Sequence, residues 1–503
     1  MSPLSSDAPQ ADAVIIGGGL AGLTAAYAMV KQGLKPLVLE ERGGVGGLVA
    51  GVTVDGVPFD IGAEAYVAAS QPITDLVTEL GLDITKPQGS SWVYSHDEGG
   101  RATQIPHGML GIPASLDDPA VAQALTPAEL TRAREDLTMG PEVGADCEDL
   151  ASFVTARYGE ALLTKIVGPV AGGIHSNDPA KLAVDTVCRG LRAGLAQHGS
   201  ATAAVAAIRG VTPAGPTVIA PRGGMFRLPQ ALARAIRDAG GRIATHVRAL
   251  GISPVAGGGW SVTGVQTMSN PNPALPPISQ GLPTQVHTPR VVLALPLPAA
   301  IDILSMMGGI DIRGWRPAPG GPIAHVTLML DMPALDDAPR GSGMLVRRPT
   351  PEEIEGGAVR AKALTHYSHK WSWMREDYPD THILRVSYGR AGEPPVEVTE
   401  ALARSDASRL LGVTIPREAV KRSLIVHWDG SLPPLTPEHW ERVAALNSQI
   451  AANCPGFAVA GAWASGSGLS AVIPDGLAKG AQLAQFGPPS QGTPNYAHDE
   501  DPS

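Results

Sequence analysis

Residues 12–42 read DAVIIGGGLAGLTAAYAMVKQGLKPLVLEER, and no other stretch constrains the fold of this chain as strongly. The apolar run Ala13 to Ile16 ends in glycines, as a strand buried in a parallel sheet does. Gly17, Gly19 and Gly22 satisfy G-x-G-x-x-G, and Leu20 to Val30 suits a helix packed closely on that sheet. Pro36 to Leu39 reads as a second buried strand, ended by Glu40 and Glu41. Gly17 permits the tight turn, Gly19 lets backbone approach a pyrophosphate, and Gly22 lets helix and strand touch. The free N–H groups of the helix N-terminus then hold the phosphates, with Gly18, Leu20 and Ala21 among the expected cofactor contacts. Glu40 stands 18 residues past Gly22, placed to accept ribose hydroxyls. The full strand, turn, helix, strand and acid order marks a dinucleotide site, where the glycines alone would be weak evidence. An acid at this position disfavours NADP, whose 2′-phosphate favours Arg.

Ala13 to Val30 is also 18 residues without a charge, long enough to suggest a membrane span. No Lys or Arg precedes Lys31, so the basic flank of a signal peptide is missing, and the crowded glycines fit a turn instead. With 503 residues, 44% apolar and 17% charged, the chain should fold into several domains. Gly (60) and Pro (46) are abundant while aromatics are 4%, which calls for many tight turns and cores of Ala, Val and Leu. A net charge of −10 argues against a nucleic-acid partner. Cys147, Cys188 and Cys454 are far apart and form no CxxC pair, which fits small buried hydrophobes in a cytoplasmic protein. No His/Cys cluster has metal spacing, so no metal is expected.

Two later features point to FAD. Gly43-Gly44-Val45-Gly46-Gly47 follows the acid, and Phe59 to Tyr66 (FDIGAEAY) runs a strand into a Gly-Ala turn. They resemble the ribose and flavin-facing segments of the FAD oxidase superfamily that includes amine oxidases. Leu48 departs from that superfamily, which usually carries Arg or Lys there. Five further segments narrow the resemblance: IPHGMLGIP (105–113), VGPVAGGIHSNDPAKL (167–182), RGGMFRLPQAL (222–232), SHKWSW (368–373) and GAWASGSGLSAVIPDG (461–476). In order over most of the chain, they resemble the protoporphyrinogen/coproporphyrinogen oxidase family, above all its actinobacterial branch. His107, His175 and Trp463-Ala464-Ser465 depart from the wider family's residues.

The resemblance implies an α/β fold: a Rossmann-like FAD-binding domain, a mixed α+β substrate domain and a helical subdomain. It implies oxidation of a porphyrinogen to a porphyrin, six electrons leaving in three two-electron steps. Hydride goes to flavin N5, a pyrrole N–H loses a proton, and dioxygen reoxidises the flavin to give hydrogen peroxide. No catalytic acid–base is then required, since the flavin does the chemistry. The actinobacterial likeness favours coproporphyrinogen III, with four propionates; protoporphyrinogen IX, with two, is the alternative, and another amine-oxidase-like flavoenzyme comes third. Arg222, Arg227, Lys370 and His175 are the implied substrate-binding candidates, with Arg347, Arg348, His366 and His369 nearby in sequence. Gly47, Gly62, Ala63, Glu64, Ala65, Val247, Trp428, Ser467, Gly468 and Leu469 are the implied cofactor contacts beyond the glycine turn and its acids. No transmembrane segment is expected; the resemblance leaves room for a weak peripheral membrane contact and for handover to other haem-pathway enzymes.

Under the same resemblance the FAD domain draws on 11–68, 217–300 and 450–485, and the substrate domain on 92–113 and 301–449. Residues 114–210 read helical: Thr126-Pro127-Ala128-Glu129 is a capping box, and Leu150, Phe153, Val154 and Tyr158 keep helical spacing. Thr350-Pro351 and Thr436-Pro437 start helices in the same way. The Pro-rich stretch 268–289 reads as a surface loop, and 487–503 as a disordered tail.

Overall fold

In a computed structural model of the chain, the described residues are 10–175, 178–211, 218–270, 275–316, 320–390, 393, 395–428 and 436–487. The expected disordered tail, from 488 onward, lies outside them. Five short apolar strands form a parallel sheet in the order Arg242–Ala244, Pro36–Leu39, Ala13–Ile16, Val291–Leu293, Phe457–Val459. Ile16 pairs with Leu39 and with Leu293, so the carboxyl ends of these strands share one edge. Ligands of open α/β sheets bind outside that edge.

Helix Leu20–Val30 is buried along its whole length on one face of the sheet. The final helix, Leu469–Ala484, lies against it in the same direction, because Gly476 faces Ala21 and Thr24 while Gly480 faces Ala25. A Cβ at either glycine would collide with the first helix's carbonyl oxygens. The sheet's other face packs on an antiparallel sheet of Val247–Pro254, Trp260–Met268 and Ile278–Thr288 and on helices Leu297–Ser305 and Pro437–Asn453. Residues 278–288 are therefore a strand, where a Pro-rich loop was expected. Val286 and Thr288 are buried at its far end, and Pro283 is tolerated because this is an edge strand.

A second, seven-stranded sheet runs Val420–His427, Ala324–Leu330, His382–Tyr388, Ala363–His366, Gly343–Val346, Ser91–Ser95, Arg101–Gln104. Val326, Leu328, Leu384 and Val386 fill a core with helix Glu400–Leu411. Met329, Ile383 and partly Leu424 project oppositely, into the core of the first unit.

The helical part has its own core, where Leu150, Phe153, Val154 and Tyr158 are at most 1% exposed. The Thr126–Glu129 capping box forms as expected. Its centre also holds an ion pair: Arg157 and Asp136 are fully buried and 2.6 Å apart. Asp136 accepts two backbone N–H groups as well, from Ala201 and Thr202, and so fixes the start of helix Ala201–Val211. Removing one partner of such a pair leaves a buried charge uncompensated. Asp136→Ala should therefore cost about 3–5 kcal/mol, read as faster amide exchange across residues 150–205 with the parallel sheet still protected; unchanged exchange in the helices would contradict this.

Candidate functional site

The glycine turn sits at the carboxyl edge of the parallel sheet. Gly17 adopts φ +109°, and a Cβ there would strike the Ala294 carbonyl at the end of the next strand. Gly22 packs directly on the Gly17 carbonyl and Ile15, so helix and strand touch as the spacing required. Gly19 is different: a Cβ on it would meet no atom within 4 Å. Its backbone borders open space at the start of a helix that no side chain caps. Gly46 pairs with this turn through a 2.8 Å bond from its N–H to the Gly18 carbonyl, and Gly47 lies beside the Gly19 Cα.

Glu40 is 9% exposed and accepts from the Gly18 N–H (2.9 Å) and the Arg42 N–H (2.8 Å). Burial raises its pKa, while the two N–H groups oppose that rise. Val247 joins it, donating from its N–H to the Glu40 carbonyl at 2.9 Å. Glu41 points its carboxylate elsewhere, to Arg248 at 3.0 Å. The final helix follows Gly468, with φ +97° and again no capping side chain, so after Ser467 and Gly468 the N–H groups of its first residues, Leu469 and Ser470, have no carbonyl of the preceding turn to bond, whereas Ala471 and Val472 donate to the Gly468 carbonyl. Open space over Gly19, two uncapped helix starts and a buried acid at the second strand's end fit a dinucleotide such as FAD.

Residues Asp60 to Glu64 form the wall between the two sheets. Asp60, 2% exposed, accepts from the N–H groups of Met225 and Phe226 (3.0 Å each) and from the Tyr367 hydroxyl (2.8 Å). Burial pushes its pKa up to about 6, against those three donors. The Ile61 carbonyl accepts from Trp428 Nε1 at 3.1 Å and lies 3.3 Å from His325 Nδ1. The Gly62 carbonyl accepts from Arg385 at 2.7 Å, and Ala63 donates to the Leu48 carbonyl. Glu64 is held at 2.6 Å by both Lys370 and Arg385, whereas Ala65 is partly exposed beside it. Burial works against the charged Glu64, but Arg385 and then Lys370 outweigh it and hold its pKa at about 2. His325 is pushed the other way, to about 3, by burial and then by Arg385. It is therefore neutral, and a bond to the Ile61 carbonyl requires its proton on Nδ1.

The expected substrate cations are placed differently from the expectation. Arg222 is exposed and paired with Asp377 (3.1 Å) and Glu376 (3.2 Å). Arg227 is exposed, with its guanidinium 5.5 Å from the Phe226 ring. Lys370 is ion-paired with Glu64, a carboxylate it shares with Arg385. The His175 side chain lies outside the described residues. Arg347 is bound to Glu353 and Asp97. Asp60, His325 and Arg385 were not singled out from sequence. Asp60 and Glu64 share the FDIGAE segment, and that shared acid spacing is the signal that could have found them.

This combination of dinucleotide cradle and apposed second sheet defines an FAD-dependent oxidoreductase. The chain belongs to the flavin containing amine oxidoreductase family, whose profile matches residues 20–485. It is similar to the coproporphyrinogen III oxidase of Mycobacterium leprae, 28% identical over 91% of this chain and 95% of that protein. The Mycobacterium tuberculosis protein of the same name is 26% identical over 91% of this chain and 94% of its own length. The same fold occurs in a crystal structure from Exiguobacterium sp. 255-15, a candidate protoporphyrinogen oxidase, with a TM-score of 0.74, 24% identity and coverage of 96% and 98%. Among the described residues no helix is long and apolar enough to cross a membrane.

Two measurements test the site. Gly19→Val should leave a folded protein that no longer retains flavin through gel filtration. Glu40→Ala should weaken flavin retention, each lost charge-assisted bond being worth about 1.5–3 kcal/mol; a fully yellow Gly19→Val protein would contradict the cradle. Glu64→Gln strands two cations and should destabilise by about 3–5 kcal/mol. Because the Glu64 pKa is depressed to about 2, its contribution is complete above about pH 4.5 and fades as pH falls through about 2. The Tm difference between wild type and Glu64→Gln should accordingly narrow from pH 5 to 3; a difference that widens on acidification would refute the ion-pair account.

Proposed function

We propose that the chain uses FAD to oxidise coproporphyrinogen III to coproporphyrin III in haem biosynthesis, with dioxygen as acceptor and hydrogen peroxide as by-product. The observation that carries this reading is the likeness, over nine-tenths of both chains, to mycobacterial proteins of that name. When bound, the flavin supplies hydride acceptance and electron transfer to dioxygen. The protein's part is position and charge. Gly17 to Gly22 hold the pyrophosphate, Glu40 the ribose and Val247 the adenosine end. Gly62 to Ala65, Trp428 and the helix start at Ser467 to Leu469 flank the isoalloxazine. Two cations on the one carboxylate of Glu64 leave a net positive charge beside that segment, which suits both an electron-rich cofactor and an anionic substrate.

Protoporphyrinogen IX is the second reading, favoured by the fold shared with the Exiguobacterium structure and by a 22% identical match, over 34% of this chain, to an Arabidopsis thaliana protoporphyrinogen oxidase. Steady-state assays on both porphyrinogens, followed by porphyrin fluorescence against a heat-inactivated control, separate the two. Two extra propionates can engage donors that vinyl groups leave unpaired, so a specificity constant at least about tenfold higher for coproporphyrinogen III is expected. Equal constants would overturn the substrate choice, and no turnover of either would overturn the reading.

A further inference from the structure

Beyond the interdomain wall, one strip of the seven-stranded sheet stays open. Leu345, Ala363, Ser387, His325 and Val426 follow one another across five neighbouring strands. All five are partly exposed. Helix Gly168–His175 borders the strip, with Gly173 against Leu345. The strand Ala363–His366 is irregular at this end. Ala363 pairs with Ser387, yet it is the N–H of Lys362 that donates to the Ser387 carbonyl, at 2.7 Å. Ala361 and Leu364 both lie in the core on the far side of the sheet. Lys362 and Ala363 therefore stand together on the side of Ser387 and His325, two residues opposite one, as in a bulge.

Lys362 is partly exposed and has no hydrogen bond or ion pair from its ammonium among the described residues. Its neighbours are mostly cationic. Arg348 and Arg390 share the single carboxylate of Glu393, at 2.7 and 3.8 Å. With Lys362 this makes three cations around one acid. Burial and then Arg390 push the ammonium of Lys362 down to about 8, so it is still charged at neutral pH. Its charge is felt across the strip at His325. A half-desolvated cation without a counter-ion is costly to hold, and an arriving carboxylate relieves that cost.

We propose that Lys362 binds a propionate carboxylate of the porphyrinogen at the rim of this strip, the Arg348–Glu393–Arg390 cluster keeping the rim positive. The proposal rests on the porphyrinogen reading above. It assigns substrate contact to a cation outside the sequence motifs, in place of Lys370 and Arg222, each of which is already bonded to an acid of this chain.

The test uses the flavin-loaded full-length protein and the product coproporphyrin III as a non-reacting probe, titrated by its fluorescence. Lys362→Met should raise its Kd about tenfold or more, the loss of one charge-assisted bond. KM for coproporphyrinogen III should rise in parallel while kcat stays within about twofold. Lys362→Arg should retain most of the affinity, and binding of the uncharged tetramethyl ester should be the same in wild type and variant. Removing this unpaired, partly desolvated cation should leave flavin content unchanged and Tm no lower than in wild type; Lys362→Gln gives the same comparison should the Met variant be unstable. A coproporphyrin III Kd for Lys362→Met within about twofold of wild type overturns the assignment and leaves the porphyrinogen reading standing. Wild-type protein that neither binds coproporphyrin III nor oxidises the porphyrinogen overturns that reading, and the assignment with it.

Discussion

Five consecutive residues, Asp60 to Glu64, hold the two sheets in register. Asp60 gathers two backbone N–H groups and the Tyr367 hydroxyl, the Ile61 carbonyl takes Trp428, the Gly62 carbonyl takes Arg385, and Glu64 takes Lys370 and Arg385. Most of these bonds involve a charged group away from water, where hydrogen bonds are strong and unpaired charges costly. A shift of one sheet past the other would uncover several buried charges at once. The pKa values mark this tension: Asp60 is pushed up by burial, while Glu64 is pulled down by two cations that overcome the same burial.

The parallel sheet depends on this wall only at one end; its own order comes from local pattern. Ala13–Ile16, Leu20–Val30 and Pro36–Leu39 form where the apolar runs and glycines place them. They were legible because each needs only its neighbours in sequence: a strand buried on both faces, a turn that requires positive φ, a helix packed hard on the strand. The capping boxes at Thr126 and Thr350 were legible for the same reason. The direction of the final helix was not. It follows from Gly476 and Gly480 meeting Ala21, Thr24 and Ala25, more than 450 residues away. Sequence shows two glycines in a helix, where they weaken it; only the partner explains them.

The same limit hid the buried charges. Asp136 and Arg157 look like ordinary surface residues of a helical segment, yet both are fully buried. Asp60 and Tyr367 are 307 positions apart, and Glu64 and Arg385 are 321 apart. Charge in a sequence reads as solvated until its partner is known. The strand Ile278–Thr288 was obscured for a related reason, since Pro283 argues against a strand unless the residue lies on an edge, and edges are a property of the sheet.

Two cations that stand inside recognisable motifs, Lys370 and Arg222, are in this chain already paired with its own acids. Lys370 sits in SHKWSW and closes on Glu64; Arg222 sits in RGGMFRLPQAL and closes on Glu376 and Asp377. A motif keeps residue types together because their geometry is shared, and an ion pair within the protein is such a geometry. A substrate carboxylate makes the opposite demand: it needs a cation that no acid of the chain has already neutralised, held partly out of water so that its charge is not screened. Lys362 meets both conditions through a strand irregularity and a shared Glu393, neither of which leaves a mark in a linear pattern. Leu48 fits the same logic at the cofactor. Where the wider superfamily places Arg or Lys, this chain has an aliphatic side chain that is 40% exposed. Two uncapped helix starts, at Leu20 and Leu469, remain to meet negative charge there.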